Sequence, residues 1–174
     1  MENKEKLSSL VDHIFQGDFE QAKTYSDRSI NLNPSYPDAH MYYGHALVHS
    51  GEYEKSKEHF YKAKELNPLD PKSIEYLAGI TIADIGLGLF EDALKITEQC
   101  IEQYPDTVFY IGLKASILGH LNREIESNKC LKQYLDFRPN LKTRTDYKKM
   151  FVRNSVLVDT IIDGLIKAGW KPED

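Results

Sequence analysis

Cysteine is scarce in this sequence. Its 174 residues hold two, Cys100 and Cys130, too few for a disulfide framework, and no Cys/His spacing resembles a zinc site. Long apolar runs are missing too. The most apolar stretch, Leu77 to Phe90, is fourteen residues and contains Asp84, too short and too interrupted to span a bilayer. The opening Met1-Glu2-Asn3-Lys4-Glu5-Lys6 leads into no apolar stretch of a secretory leader. Positive charge is not in excess: 22 Lys+Arg stand against 27 Asp+Glu, a net charge of −5. Nucleic-acid binding, which runs on phosphate neutralisation, is not expected of such a chain. A phosphate-binding glycine loop is absent, since Gly86-Leu87-Gly88 lacks the third glycine and the preceding strand of a dinucleotide fingerprint. With 41% apolar and 28% charged residues, the expectation is a soluble globular protein of a reducing compartment, the cytoplasm.

What the sequence does hold is an internal repeat. Pro34, Pro68, Pro105 and Pro139 are spaced 34, 37 and 34. Gly17, Gly51 and Gly88 keep the same steps, with Asn122 a further 34 on. The small residues Ala22, Ser56, Ala93 and Ser127 do likewise, and the aromatics Phe19, Tyr53 and Phe90 follow until Glu124 breaks the ladder. The unit is 34 residues, present four times, with three residues inserted in the third copy. Each ladder has a physical reason. Proline ends a helix and turns the chain. Glycine permits a left-handed link between helices. A small residue lets two helices approach, and the aromatic before it is expected to fill the gap between paired helices. The pattern predicts helices near 4–15, 18–32, 38–49, 53–66, 71–86, 89–103, 107–120 and 123–137. Asp70-Pro71 reads as the start of the fifth.

The second unit runs from Pro37 through Gly44 and Gly51 to Pro68. It resembles the tetratricopeptide repeat family. Counted from Pro37, the motif's positions 8, 20, 24, 27 and 32 hold Gly44, Ser56, Phe60, Ala63 and Pro68. Positions 4, 7 and 11 depart from the family's usual residues and hold His40, Tyr43 and Leu47. The resemblance implies an all-α, right-handed solenoid of four helix hairpins over residues 3–140 (repeats 3–36, 37–70, 71–107 and 108–140), with the first repeat degenerate.

After Pro139 the repeat stops. Residues 138–174 carry 8 basic and 5 acidic groups, net +3, against 14 and 22, net −8, for residues 1–137. Six of those basic groups (Arg138, Lys142, Arg144, Lys148, Lys149 and Arg153) fall between 138 and 153 with one acid, Asp146. This stretch reads as a solvated basic connector, with docking of an acidic partner as the alternative. Val156, Leu157, Ile161, Ile162, Leu165 and Ile166 then form an apolar stripe ending at Gly169-Trp170-Lys171-Pro172, which predicts a capping helix for the stack within 141–174. The run Gly164-Leu165-Ile166-Lys167-Ala168-Gly169 resembles the C-terminal repeat region of bacterial adenylate or guanylate cyclases and of repeat-containing transcriptional regulators. That resemblance implies a bacterial-type regulatory interaction module.

No catalytic constellation is visible, so the chain is not expected to be an enzyme or to carry a cofactor. His40, His45 and His49 lie at helical spacing, but no glutamate base separates them and they read as packing or surface histidines, with a metal sensor as a minor alternative. Cys100 and Cys130 read as packing residues. The family resemblance implies that first helices of the repeats line a concave groove. It places Asp38, Met41, Tyr42, His45 and His49 there from the second repeat, Lys72, Glu75 and Tyr76 from the third, and Phe109 and Leu113 from the fourth, together with Ser116, Gly119 and His120. Of the residues at the chaperone-binding subfamily's carboxylate-gripping positions only Lys72 fits, so a chaperone tail is not the expected ligand. The expectation is a scaffold for a protein or peptide partner, with self-association into a homo-oligomer as the competing reading.

Overall fold

The structure is a computed structural model that describes residues 16–70, 73–150 and 156–174. Among these, all regular structure is helical. The helices are α1 (Phe19–Leu32), α2 (Pro37–His49), α3 (Tyr53–Leu66), α4 (Ser73–Gly86), α5 (Phe90–Gln103), α6 (Val108–His120), α7 (Glu124–Phe137), α8 (Arg144–Lys148) and α9 (Val156–Lys167). The expected all-α class is what the chain adopts. The helix expected over 4–15 lies outside the described residues.

The turn ladders mark the same geometry each time. Gly17, Gly51 and Gly88 sit at φ of 72°, 80° and 73°, and Asn122 at 56°. A side chain is strained there, and asparagine tolerates the region better than most residues. The linking hydrogen bonds repeat with them. Gly51 N–H donates to Val48 O and Glu52 N–H to Leu47 O; Gly88 to Ile85 and Leu89 to Asp84; Asn122 to Gly119 and Arg123 to Leu118. Each is the paired bonding that satisfies the last carbonyls of a helix closed by a left-handed residue. The proline corners are equivalent as well. Tyr36, Asp70, Thr107 and Leu141 donate their N–H groups to Asn33, Asn67, Tyr104 and Arg138, closing a turn with proline at its second position.

The chain divides into two compact units, residues 1–83 and 84–174. In the first, α2 packs against α1 and α3. Phe60, fully buried, lies over Gly44, where an added Cβ would meet Cε1 at 2.9 Å, and even closer over Gly79. The ring therefore needs both glycines. In the second, α6 is buried nearly all round and packs against α5, α7 and α9. The small ladder is wholly buried: Ala22, Ser56, Ala93 and Ser127 are all at 0% exposure.

One expectation is extended and one is corrected. Two members of the aromatic ladder reach beyond their own hairpins. Phe19 stacks on His49 at 4.8 Å and 10°, and Phe90 on His120 at 4.2 Å and 6°, so the ring reaches the first helix of the next repeat. The third repeat also takes a different register along its first helix. α2 and α6 end two residues before Gly51 and Asn122, and α4 ends at Gly86, two before Gly88. The three inserted residues thus precede the helix body, and positions along it match the second repeat at an offset of 37, not 34. Glu75 then corresponds to Asp38, and Ala78 and Gly79 take the places of Met41 and Tyr42.

Candidate partner-binding face

On α2, four of the expected site residues form one stripe. Asp38, Tyr42, His45 and His49 are spaced four, three and four, the repeat of a single helix face. All four are half-buried, while Ala39, His40, Met41, Gly44, Ala46, Leu47 and Val48 are buried. Tyr42 packs beside Tyr25 against the buried pair Ala22 and Ala46. His45 meets Phe60 edge-on, with ring centroids 5.0 Å apart. His49 lies flat on Phe19, and its Nδ1 is buried with no hydrogen-bond partner among the described residues.

The electrostatics follow from that packing. Desolvation, with the nearby His49 second, pushes His45 down to about 4. Desolvation lowers His49 too. Both rings are neutral at pH 7, so this face offers imidazole donors and acceptors, a phenol and one acidic side chain, with no cation from the stripe.

The remaining expected site residues are placed differently. Met41 and Tyr76 are fully buried, and Leu113 is 1% exposed. The Tyr76 hydroxyl donates to Asp70 Oδ2 at 2.6 Å, and desolvation followed by that carboxylate pushes the phenol far above its ordinary range. These three side chains are interior packing. Tyr76 was assigned to the groove by the 34-residue register, which the insertion shifts. Glu75 is exposed and Phe109 half-buried, edge-on to Tyr110 at 5.4 Å. Lys72 lies outside the described residues. Asp38, Tyr42, His45, His49 and Glu75 belong to the first unit and Phe109 to the second.

The fourth repeat's first helix is covered by the chain itself. Ser116 Oγ donates to Ile161 O at 2.9 Å, and His120 Nε2 donates to Thr160 O at 2.9 Å. Lys167 Nζ donates to His120 Nδ1 at 3.3 Å. An added Cβ on Gly119 would strike the Gly164 carbonyl, and one on Gly164 would strike Ser116. Ser116, Gly119 and His120, expected in the groove, are the seat of α9.

His40 is not a free ligand. Its Nε2 donates to Pro34 O at 3.0 Å, which leaves Nδ1 to accept from His59 Nδ1, also at 3.0 Å. Among the described residues no group of three or more His, Cys, Asp or Glu side chains could hold a metal. No helix among them is long and apolar enough to cross a membrane.

The family model for the tetratricopeptide repeat matches residues 13–36 and 37–68. Those segments are therefore similar to tetratricopeptide repeats, and the hairpins that follow repeat their turns and corners. No curated protein sequence matches the chain significantly. Among solved structures, an O-GlcNAc transferase mutant from Thermobaculum terrenum aligns at 16% identity and a TM-score of 0.69, covering 78% of this chain and 26% of that one. The chain thus spans about a quarter of that longer protein. A thermophilic TPR protein of Thermus thermophilus aligns at 17% identity and 0.68, covering 99% and 93%. YrrB, described as a TPR protein with an unusual peptide-binding site, aligns at 14% and 0.63, covering 94% and 84%. At these identities the likeness is one of fold.

Proposed function

We propose that this chain is a non-catalytic protein–protein interaction scaffold of the cytoplasm, which holds an extended or helical segment of another protein against the first helices of its repeats. The observation that carries this reading is the stripe Asp38, Tyr42, His45 and His49. It is a polar and aromatic line left partly open on a largely buried α2. Such rings with polar tips serve as interface anchors. The peptide-binding site named for YrrB is a precedent on a similar fold.

The neutral imidazoles set the ligand's chemistry. A segment with apolar side chains and hydrogen-bonding groups suits this face, and a terminal carboxylate does not. A bacterial regulatory module working beside a separate cyclase or transcription regulator fits the tail motif, in which Gly164 is needed for the close contact with Ser116. A peptide-display selection against the purified chain tests the scaffold reading. Selected peptides should lose affinity at least roughly tenfold on Tyr42→Ala/His45→Ala, the loss of two anchors. Unchanged affinity with intact helicity would remove the α2 face from the proposal.

A further inference from the structure

Residues 138–150 of the basic stretch after the last repeat are held in place, and they border a cleft. α8 begins with a capping box: Thr143 Oγ1 accepts from Asp146 N–H, and Asp146 Oδ2 accepts from Thr143 N–H at 3.0 Å. The chain's last residues pin it. Asp174 accepts from Arg144 N–H at 2.8 Å and from the Thr145 hydroxyl at 3.2 Å, and Glu173 N–H donates to Lys142 O. Tyr147 is buried with its ring centroid 6.2 Å from that of Trp170, and Lys148 pairs with Asp159 at 2.7 Å. The segment is therefore a fixed platform and not a loose connector.

Beside it, Phe137, Arg138, Pro139, Asn140, Leu141, Asp146 and Met150 enclose a cleft of about 260 Å³. Phe137 is 56% and Met150 43% exposed, so the walls are apolar and open. That volume is below the range of drug-sized ligand pockets and suits one or two side chains of a peptide. Asp146 is spent on the capping box and on Lys149 at 3.8 Å. Arg138, Lys142 and Arg144 have no ion-pair partner among the described residues. Glu173 and Asp174 lie on the same platform, Asp174 against the α8 backbone.

We infer that this cleft is a second docking site, for an acidic peptide segment that buries an apolar side chain between Phe137 and Met150 and sets its carboxylates against Arg138, Lys142 and Arg144. Charge complementarity selects the occupant: Arg138 lines the indentation, and Lys142 and Arg144 are exposed on the segment between its lining residues Leu141 and Asp146, in a chain that is otherwise acidic. The site is distinct from the α2 face, whose stripe holds an acid and neutral rings.

The probe is a fluorescein-labelled eight-residue peptide with three Glu, a central Phe-Leu and three Asp, read by fluorescence polarisation. Saturable binding is expected, weakened roughly tenfold by Arg138→Glu/Lys142→Glu through charge reversal at an exposed rim. Met150→Asp should weaken it comparably, and Tyr42→Ala/His45→Ala should leave it unchanged. A peptide with Ser-Gly in place of Phe-Leu should bind much more weakly. Equal binding of the two peptides would reduce the effect to bulk attraction and overturn the inference. So would no binding, binding abolished by the α2 variant, or preference for phosphatidylserine vesicles over the peptide. Circular dichroism of each variant confirms that helicity is kept.

Discussion

α2 and α6 are the first helices of the second and fourth repeats, and they met different fates. At the positions where α2 carries His45, Val48 and His49, α6 carries Ser116, Gly119 and His120. In both, the last histidine stacks under the aromatic of the preceding helix, Phe19 or Phe90. On α2 the stripe stays half open. On α6 the glycine removes the side chain, and α9 settles close enough for Ser116 and His120 to bond its carbonyls. The same scaffold position stays half open or becomes a seat according to whether a side chain stands there.

A second contrast lies inside the hairpins. Tyr134 packs over Gly112, where an added Cβ would meet its ring at 2.7 Å. The equivalent residues of the second repeat are Ala63 and Met41, both fully buried. Large and small have changed places between the two helices, and the volume is conserved.

The largest expected effect tests that exchange. Tyr134→Ala should cost about 3–5 kcal/mol by opening a cavity. Gly112→Met should destabilise alone by overpacking, and the double variant should recover part of the loss in denaturant melts. Additive losses would break the comparison. Next, Gly119→Ala should cost about 1–3 kcal/mol, because backbone stands where the methyl must go, and hydrogen exchange in α9 should rise. Val48→Ala on α2 should leave α9 protection unchanged. Asn122→Gly should change stability by a few tenths of a kcal/mol, whereas Gly51→Ala should cost about 1 kcal/mol from the left-handed backbone. Among the small residues, the Ser56 hydroxyl is buried without a hydrogen-bond partner among the described residues, while Ser127 Oγ donates to Glu124 O at 3.0 Å. Ser56→Ala should therefore stabilise by about 1 kcal/mol, and Ser127→Ala should not.

Acid sharpens the comparison from another side. His45 is pushed down to about 4 and His49 is lowered, both by desolvation. A depressed folded value means that the unfolded chain binds protons first as pH falls. The stability contributed is complete above about 6.5, the ordinary histidine value, and is lost progressively toward pH 4. Desolvation and the adjacent His40 lower His59 in the same sense. The melting temperature should fall between pH 7 and pH 5, and His45→Gln should flatten that slope. An unchanged slope would show that His45 is not desolvated as the structure places it.

Much of this was readable in the sequence. The helices lie within a residue or two of the spans expected from the ladders, and Asn122 was found as the fourth glycine equivalent because the turn's backbone demands its conformation. The register of the third repeat was not readable. α4 is apolar almost all round, so no polar face reveals which residues point outward, and Asp70-Pro71 fixed the expected numbering 34 residues after the second repeat. Tyr76 was misplaced for that reason. The cover over α6 left no local signal either, since Gly119 and Gly164 contribute only the absence of a side chain.

Composition and period alone determined that the chain would fold as repeated helix hairpins, because proline corners and left-handed turn residues act on their immediate neighbours. Tertiary packing decided which faces stay open. Burial of Met41, Tyr76 and Leu113, the seating of α9 and the pinning of α8 by Asp174 depend on contacts between residues far apart in sequence, and the volume available at each is set only when both partners are in place.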